Sequence, residues 1–477
     1  MLTDLLHVLA NNTWAWFLVV LFFGGSIFVH ELGHFLAARW RGAHVERFSI
    51  GFGPKIFSWY HDGVEYRVSW IPLGGYVLLP QLADLGALEG KSATDVAKLP
   101  PITYTSKVII FLAGAAFNIL FAFALACVVW LHGQPTSSEE ATTRIGYVSQ
   151  TVDDGTKAPS PASLAGLRVG DTVLAIDGRK VTDWSDLTQT LIMSSGRGSD
   201  GQPQNVFTIL RDGQTLTVTL HPRLSGDEQI RRVGISPAYD LIVLAAPENS
   251  SGQRIGLKPK DRILRLDATP VQNLSIWQDY LAAHASQTVA IKILRDKAEL
   301  TLTLPPRTGA KNPADLGLDF TTSSRLTHPN PFAQVSDNVL MTFRTLWSLL
   351  NPHSDIGLSK LSSVVGIVHI FHSAAEAGLL AVFMFTILIN VNLAIVNLLP
   401  VPVLDGGQIV FATIAKLRGR ALPINIVAAT QGVFLVLLLS MILYVNIFDV
   451  RRWVRDAREE QAAAAAAAPQ TQSPPGK

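Results

Sequence analysis

His30-Glu31-Leu32-Gly33-His34 sets two imidazoles four residues apart with a carboxylate beside the first. On a helix, positions i and i+4 share a face, so both rings can reach one divalent metal such as Zn²⁺, while Glu31 can take a proton from an attacking water. A catalytic zinc uses three protein ligands and keeps a fourth position open, so a third ligand is required. Asp405 is the candidate. It follows Asn397-Leu398-Leu399-Pro400-Val401-Pro402-Val403-Leu404 and precedes Gly406, a string whose two prolines cannot continue a helix. The expected centre therefore holds one metal per chain on His30, His34 and Asp405, with Glu31 as the catalytic acid/base of a hydrolysis. Two histidines and a carboxylate also suit iron, so the residues alone leave the metal open.

These residues sit in apolar surroundings. Charged residues make up 16% of the 477, and the mean hydropathy is +0.29, which places much of the chain in lipid. Four stretches are long enough to span as helices: Trp14 to about Ala38, Val108 to Leu131, Leu379 to Leu399, and Ile424 to Phe448. The first carries His30, Glu31 and His34, ionisable groups that are costly in a span unless they have a function. It does not read as a cleavable signal, because MLTDLLHVLANN lacks Lys and Arg and the apolar run passes directly into the charged motif. Arg39, Arg41 and Arg47, then Lys107, then Lys416, Arg418 and Arg420 mark the loops expected inside the cell. Arg451, Arg452 and Arg455 pull the other way, but the three agreeing loops together with an even number of spans put both termini outside. The first and third spans then run in the same direction, which brings the histidines and Asp405 to one depth near the cytoplasmic face.

The outer segment contains a repeat. Gly166, Asp171 and Asp177 recur as Gly256, Asp261 and Asp267, each 90 residues later (256 − 166, 261 − 171, 267 − 177). IGYVSQ is paired with VGISPA as the start of each copy, which gives modules at 144–222 and 231–306. Short alternating strands with one short helix resemble PDZ domains in their permuted bacterial form, which take peptide C-termini or extended segments as an added strand. Between the first two spans, Tyr66, Val68 and Trp70 alternate with Glu65, Arg67 and Ser69 at the period of a strand.

HELGH, the NxxPxPxLDG string, four spans and two PDZ-like modules together resemble the site-two proteases, in the bacterial type that regulates sigma-E, over nearly the whole chain. The resemblance implies a multi-pass α-helical membrane protein with four transmembrane helices, a membrane-associated β segment and two inserted PDZ-like α+β domains. It implies zinc as the metal, and intramembrane cleavage of single-span membrane proteins, such as anti-sigma factors or signal-peptide remnants, after their ectodomains are trimmed. It places the chain in the bacterial inner membrane, with the PDZ-like domains periplasmic. It makes the 66–70 strand an edge for unwound substrate, and Asn397 and Asn118 contacts to substrate backbone. Two departures stand out: Gly114-Ala115-Ala116-Phe117-Asn118 lacks the family's proline, and Gln408 replaces a common histidine.

The domain boundaries expected are 1–131 and 378–450 for the membrane parts, 331–377 for an amphipathic helical connector, and 459–477 for a disordered tail. In the connector, Val339, Phe343, Leu346, Trp347 and Leu350 keep a helical spacing. His369 and His372 are weak candidates for a second metal pair, since only Glu376 accompanies them. A net charge of +2 without a basic block excludes nucleic acid as a partner. A membrane-anchored PDZ adaptor with an inactive centre would have no use for Glu31, and a metal transporter would show an inverted repeat, which is absent.

Overall fold

The protein is described here from a computed structural model over residues 13–82, 99–152, 158–226, 229–308, 312–357 and 364–467. Four helices are long and apolar enough to cross a membrane: Thr13–Trp40 (α1), Tyr104–His132 (α2), Leu379–Asn397, and Asn425–Ile447 within a longer helix. The chain divides into a membrane unit (1–132, 328–343 and 358–477) and a second unit (133–327 and 344–357).

In the membrane unit, α2 is the packing hub. Its Ala122, Leu125, Ala126 and Val129 bury against Ile387 and Val391 of the third spanning helix, with Val335 and Val339 of helix α3 (Pro331–Leu350) alongside. Small residues on α2 let these backbones approach, the usual basis of helix packing in lipid, where no hydrophobic drive exists. Helix α4 (Val364–Ala377) buries Phe371 and Ala375 against Ala15, Leu18 and Val19 of α1. The stretch expected as a single connector is thus two helices, and the second is packed on α1 rather than lying free. The third spanning helix, α5 (Leu379–Asn397), ends where Leu398 caps it. Helix α6 (Asp405–Arg418) begins at the aspartate itself. Helix α7 runs from Ile424 to Ala467, so the first part of the expected 459–477 tail is helical, and 468–477 lies outside the described residues.

Two long bent strands, β1 (Arg47–His61) and β2 (Val64–Leu78), fold on each other so that each contributes twice. Residues 47–50 pair with both 65–68 and 75–78, while 55–61 pair with the far side of 64–69. The order across the sheet is therefore 55–61, 64–69, 47–50, 75–78. Phe48, Val64 and Val77 seat it on Ala37 and Ala38 of α1 and Ile110 of α2.

The second unit holds the two repeats. In the first, a four-stranded sheet (strands 172–176, 179–180, 205–211 and 214–220) packs with the helix Trp184–Ile192 around Phe207, Ile209 and Ile176. In the second, Ile263, Ile291 and Ile293 pack with Trp277 of the helix Leu274–Ala283. Ser160 and Ser250 cap the same single helical turn in each copy. In each copy a buried carboxylate also receives an arginine in two-pronged fashion: Arg211 on Asp171, and Arg295 on Asp261. Burial opposes the Asp171 charge, yet the Arg211 hydrogen bonds and the Arg168 N–H hold its carboxyl below the usual range.

The limits of the copies differ from the sequence pairing. Ile235–Pro237 does not open the second copy; it bonds antiparallel to Ile145–Val148 and completes the first. The second copy opens with Leu241–Ala245 and is completed in the same way by Asp319–Thr322. IGYV and VGIS look alike because they are neighbours in one β ladder, each needing an apolar inward face, rather than equivalents in two copies. Gln134–Ser137 pairs with Ser324–Thr327, so the first and last strands of this stretch lie side by side.

Candidate metal centre

The i, i+4 spacing on α1 delivers what it promises: the Nε2 atoms of His30 and His34 are 3.1 Å apart. Each lies 3.3 Å from Oδ2 of Asp405. Among the described residues, these three form the one close group of potential metal ligands. The fit to zinc can be tested by geometry. With bonds near 2.05 Å, the edge of a tetrahedron is about 3.3 Å, so these three atoms already span one face of a four-coordinate site. Both histidines are buried, and Asp405 Oδ2 is a buried oxygen with no hydrogen-bond partner, as a metal ligand's oxygen should be. The donor set fits zinc.

Asp405 reaches the histidines because the chain before it turns tightly. Past Asn397 the prolines stop the helix, and Leu404 N–H bonds Val401 O to close the turn. A side chain on Gly406 would collide with the carbonyls of Leu398 and Leu399, and one on Gly407 with that of Val401. The LDGG glycines are thus demanded by close backbone approach. Gln408 is buried and donates to Pro402 O at 3.3 Å, which ties α6 to the same turn.

Helix α2 supports the pair from the other side. Ile110 O lies 2.7 Å from His34 Nδ1. One turn on, a Cβ at Gly114 would run into His34 Nε2 and come within 2.7 Å of His30 Cε1. One turn further, the Asn118 amide is 3.3 Å from His30 Nδ1. Asn397, by contrast, approaches the inward nitrogen: its Nδ2 is 3.2 Å from His30 Nε2. The two asparagines expected to hold substrate therefore stand on opposite sides of one ring, and only Asn397 faces the open side of the centre.

Glu31 lies within electrostatic reach of His34, His30 and Asp405. Its Cγ is 2.9 Å from where a Cβ on Gly75 would sit, so the 75–78 strand runs beside it. That strand pairs with 47–50 on one side and has no strand on the other among the described residues. The expectation for Tyr66 and Val68 needs correction. Tyr66 is paired on both sides, with Phe48 and Trp59, and Val68 with Ile50 and Phe57, so neither has free backbone to offer a substrate. Trp70 is 68% exposed. Among the described residues His369 and His372 belong to no close group of ligands; His372 packs on the Trp16 ring and faces Glu376 at 3.8 Å.

Sequence reasoning missed Gly114, Gly75 and the Ile110 carbonyl. A Gly-x-x-x-Asn spacing on α2 was the available signal for the first. A backbone acceptor leaves no residue-type signal at all.

Residues 17–441 match the sequence model described as Peptidase family M50. The chain is 27% identical over 449 residues to the regulator of sigma E protease of Haemophilus influenzae, covering 89% of this chain and 96% of that protein. It is 30% identical over 420 residues to the Salmonella typhi protein of the same name, covering 83% and 89%. A Treponema pallidum protein named as a zinc metalloprotease is 29% identical over 421 residues, covering 84% and 91%.

Proposed function

The chain belongs to peptidase family M50, the site-two type of membrane zinc metalloprotease, and we propose that it cuts single-span membrane proteins inside the bilayer of the bacterial inner membrane, after their ectodomains are trimmed. The observation that carries this reading is the cluster of His30, His34 and Asp405, whose two histidines stand on a helix apolar enough to span a membrane and whose aspartate follows a second such helix after a tight turn. Zinc bound there supplies Lewis acidity toward a carbonyl and lowers the pKa of water. Glu31 takes the proton of the attacking water and returns it to the leaving amine. The Asn397 amide donates to the carbonyl of the bond being cut. The 75–78 strand, which has a strand neighbour on one side only among the described residues, pairs with the unwound substrate segment and replaces hydrogen bonds lost when its helix opens.

The roles separate by measurement. Glu31→Gln retains stoichiometric zinc and loses nearly all cleavage of a model membrane substrate; Asp405→Asn loses the metal too. Zinc and activity both normal in Asp405→Asn would overturn the ligand assignment.

Orientation rests on the basic loops: residue 200 and the C-terminus lie outside, in the periplasm, with the centre near the cytoplasmic side. Cysteine labelling from outside intact spheroplasts reads this directly, and a C-terminus reachable only after lysis would reverse it.

The two repeats read as PDZ-like modules of unequal competence. In the first, a groove of about 410 Å³ lies between Trp184, Leu187 and Leu191 of the helix and the segment 230–235. This is where an extended peptide adds as a strand. In the second, Trp277 stands 90 positions after Leu187 (277 − 187), is 1% exposed and packs on Phe320 at 5.3 Å, so its own side chains fill the equivalent space. Peptide binding is therefore assigned to the first module.

A further inference from the structure

Resting on the metal-ligand reading above, we propose that Asn118 is a positioning residue of the centre: its side-chain oxygen accepts the Nδ1–H of His30 and so fixes the tautomer in which Nε2 offers a lone pair to zinc.

A neutral imidazole carries one proton on two nitrogens, and the partner of the outer nitrogen decides which one carries it. His30 Nε2 is the inward atom, 3.1 Å from His34 Nε2 and 3.3 Å from Asp405 Oδ2. It must be unprotonated to ligate, so the proton belongs on Nδ1. Nδ1 then needs an acceptor in a buried place.

Asn118 is 0% exposed, and the group near Nδ1, at 3.3 Å, is its amide. Drawn with Nδ2 toward the ring, the amide donates to Nδ1, which forces the proton onto Nε2 and disables the ligand. Oδ1 has no partner in that arrangement. A half-turn of the amide exchanges two ends of equal size and gives Nδ1–H its acceptor. His34 shows the same design, with Ile110 O accepting at 2.7 Å from its Nδ1. Ile110, Gly114 and Asn118 fall at i, i+4 and i+8 of α2, on one face. That face thus holds the outer nitrogens of both rings, with Gly114 leaving room for the rings between them. The alternative, in which Asn118 touches substrate, needs the amide on the open side of the centre, where Asn397 stands instead.

The test is zinc affinity of the detergent-solubilised full chain, by competition with a chromophoric chelator, for wild type, Asn118→Leu, Asn118→Asp and Asp405→Asn, with KM and kcat alongside. Removing the acceptor in Asn118→Leu weakens zinc roughly 10–100-fold, in line with loss of an outer partner to a metal-bound histidine. Asn118→Asp keeps an acceptor at both ends and holds zinc to within a few-fold of wild type or tighter. Should Asn118→Leu not fold, Asn118→Ala gives the same comparison with a smaller side chain. Wild-type zinc affinity in the apolar variant, or a raised KM with unchanged zinc binding, overturns the proposal while leaving the metal site intact. Equal losses in the Leu and Asp variants also overturn it. Undiminished zinc in Asp405→Asn fails the underlying ligand reading instead, so the two failures are distinguishable.

Discussion

At Gly114 the centre has no tolerance for even one methyl group. A Cβ there would overlap His34 Nε2 and press on His30 Cε1, and the backbone of α2 has little freedom to retreat, because Ala115 and Ala122 are buried in the helix contacts. Gly33 faces the same constraint from α1, since its Cβ would meet Ala113 O at 2.5 Å. Gly114→Ala therefore displaces the rings by a fraction of an ångström to an ångström, and misplacement on that scale costs on the order of a hundredfold in kcat/KM. Zinc occupancy falls with it, while the melting of the inserted unit stays at the wild-type value. Wild-type cleavage by Gly114→Ala would show that the rings have another place to go. That His30, His34 and Asp405 come together was legible from the sequence, because HExxH encodes a helical face by spacing alone and the proline string marks the turn that leads to Asp405. The residues that make room for them were not, because a missing side chain acts only through what stands opposite it.

Strand order accounts for what was hidden among the elements. Alternation at 65–70 shows a strand, but says nothing about whether one or both of its sides are paired, since that depends on 47–50 and 55–61 folding onto it. Among the described residues the outer strand of this sheet beside Glu31 is instead 75–78, in a Gly-Gly-Tyr-Val-Leu run whose glycines weaken the alternation signal while allowing close approach to Glu31. The same limit moved VGISP from the second module to the first. The 90-residue offset holds up to the module helices, from Ser160 and Ser250 to Leu187 and Trp277, but drops to 84 between Arg211 and Arg295 (295 − 211), after the longer 193–204 loop. That helix offers a direct test of the groove. Leu187→Trp puts in the first module the residue that fills the second, at a position now 1% exposed between helix and sheet. Binding of a hydrophobic C-terminal peptide to the full chain falls at least about tenfold, as loss of a buried apolar anchor predicts. Cleavage of an already trimmed substrate is unchanged, because no residue of the metal centre moves. Undiminished peptide binding by Leu187→Trp, measured by fluorescence anisotropy, would place the peptide elsewhere.

For the whole molecule, the decisive feature is how the second unit is spliced in. Gln134–Ser137 and Ser324–Thr327 are antiparallel neighbours, and Ser138 N–H bonds Ser323 O at 2.7 Å, so chain leaving α2 returns beside itself before entering α3. Neighbouring strands are about 5 Å apart, which a two-residue hairpin turn can bridge. Replacing 138–323 by Asn-Gly therefore removes both modules without stretching the membrane unit, whose helix contacts among α1, α2, α4 and α5 involve none of the deleted residues. His30, His34 and Asp405 lie on α1 and α6, and the groups beside them on α2, α5 and β2, all of which remain. One cost is foreseeable: Asp355, which joins Arg197 and buried Arg231, loses these two ion pairs, and the 351–357 segment is held less firmly. If the modules act as a gate on substrate shape, the shortened protein binds zinc stoichiometrically and cuts a trimmed substrate at a rate within a few-fold of wild type. It then also cuts a substrate bearing a folded ectodomain, which the intact chain refuses. Matched substrates with long and trimmed ectodomains, assayed with both enzymes, separate the outcomes. A shortened enzyme that still refuses the long substrate puts the discrimination in the membrane unit itself, and one that binds zinc but cuts neither makes the modules part of catalysis rather than of selection.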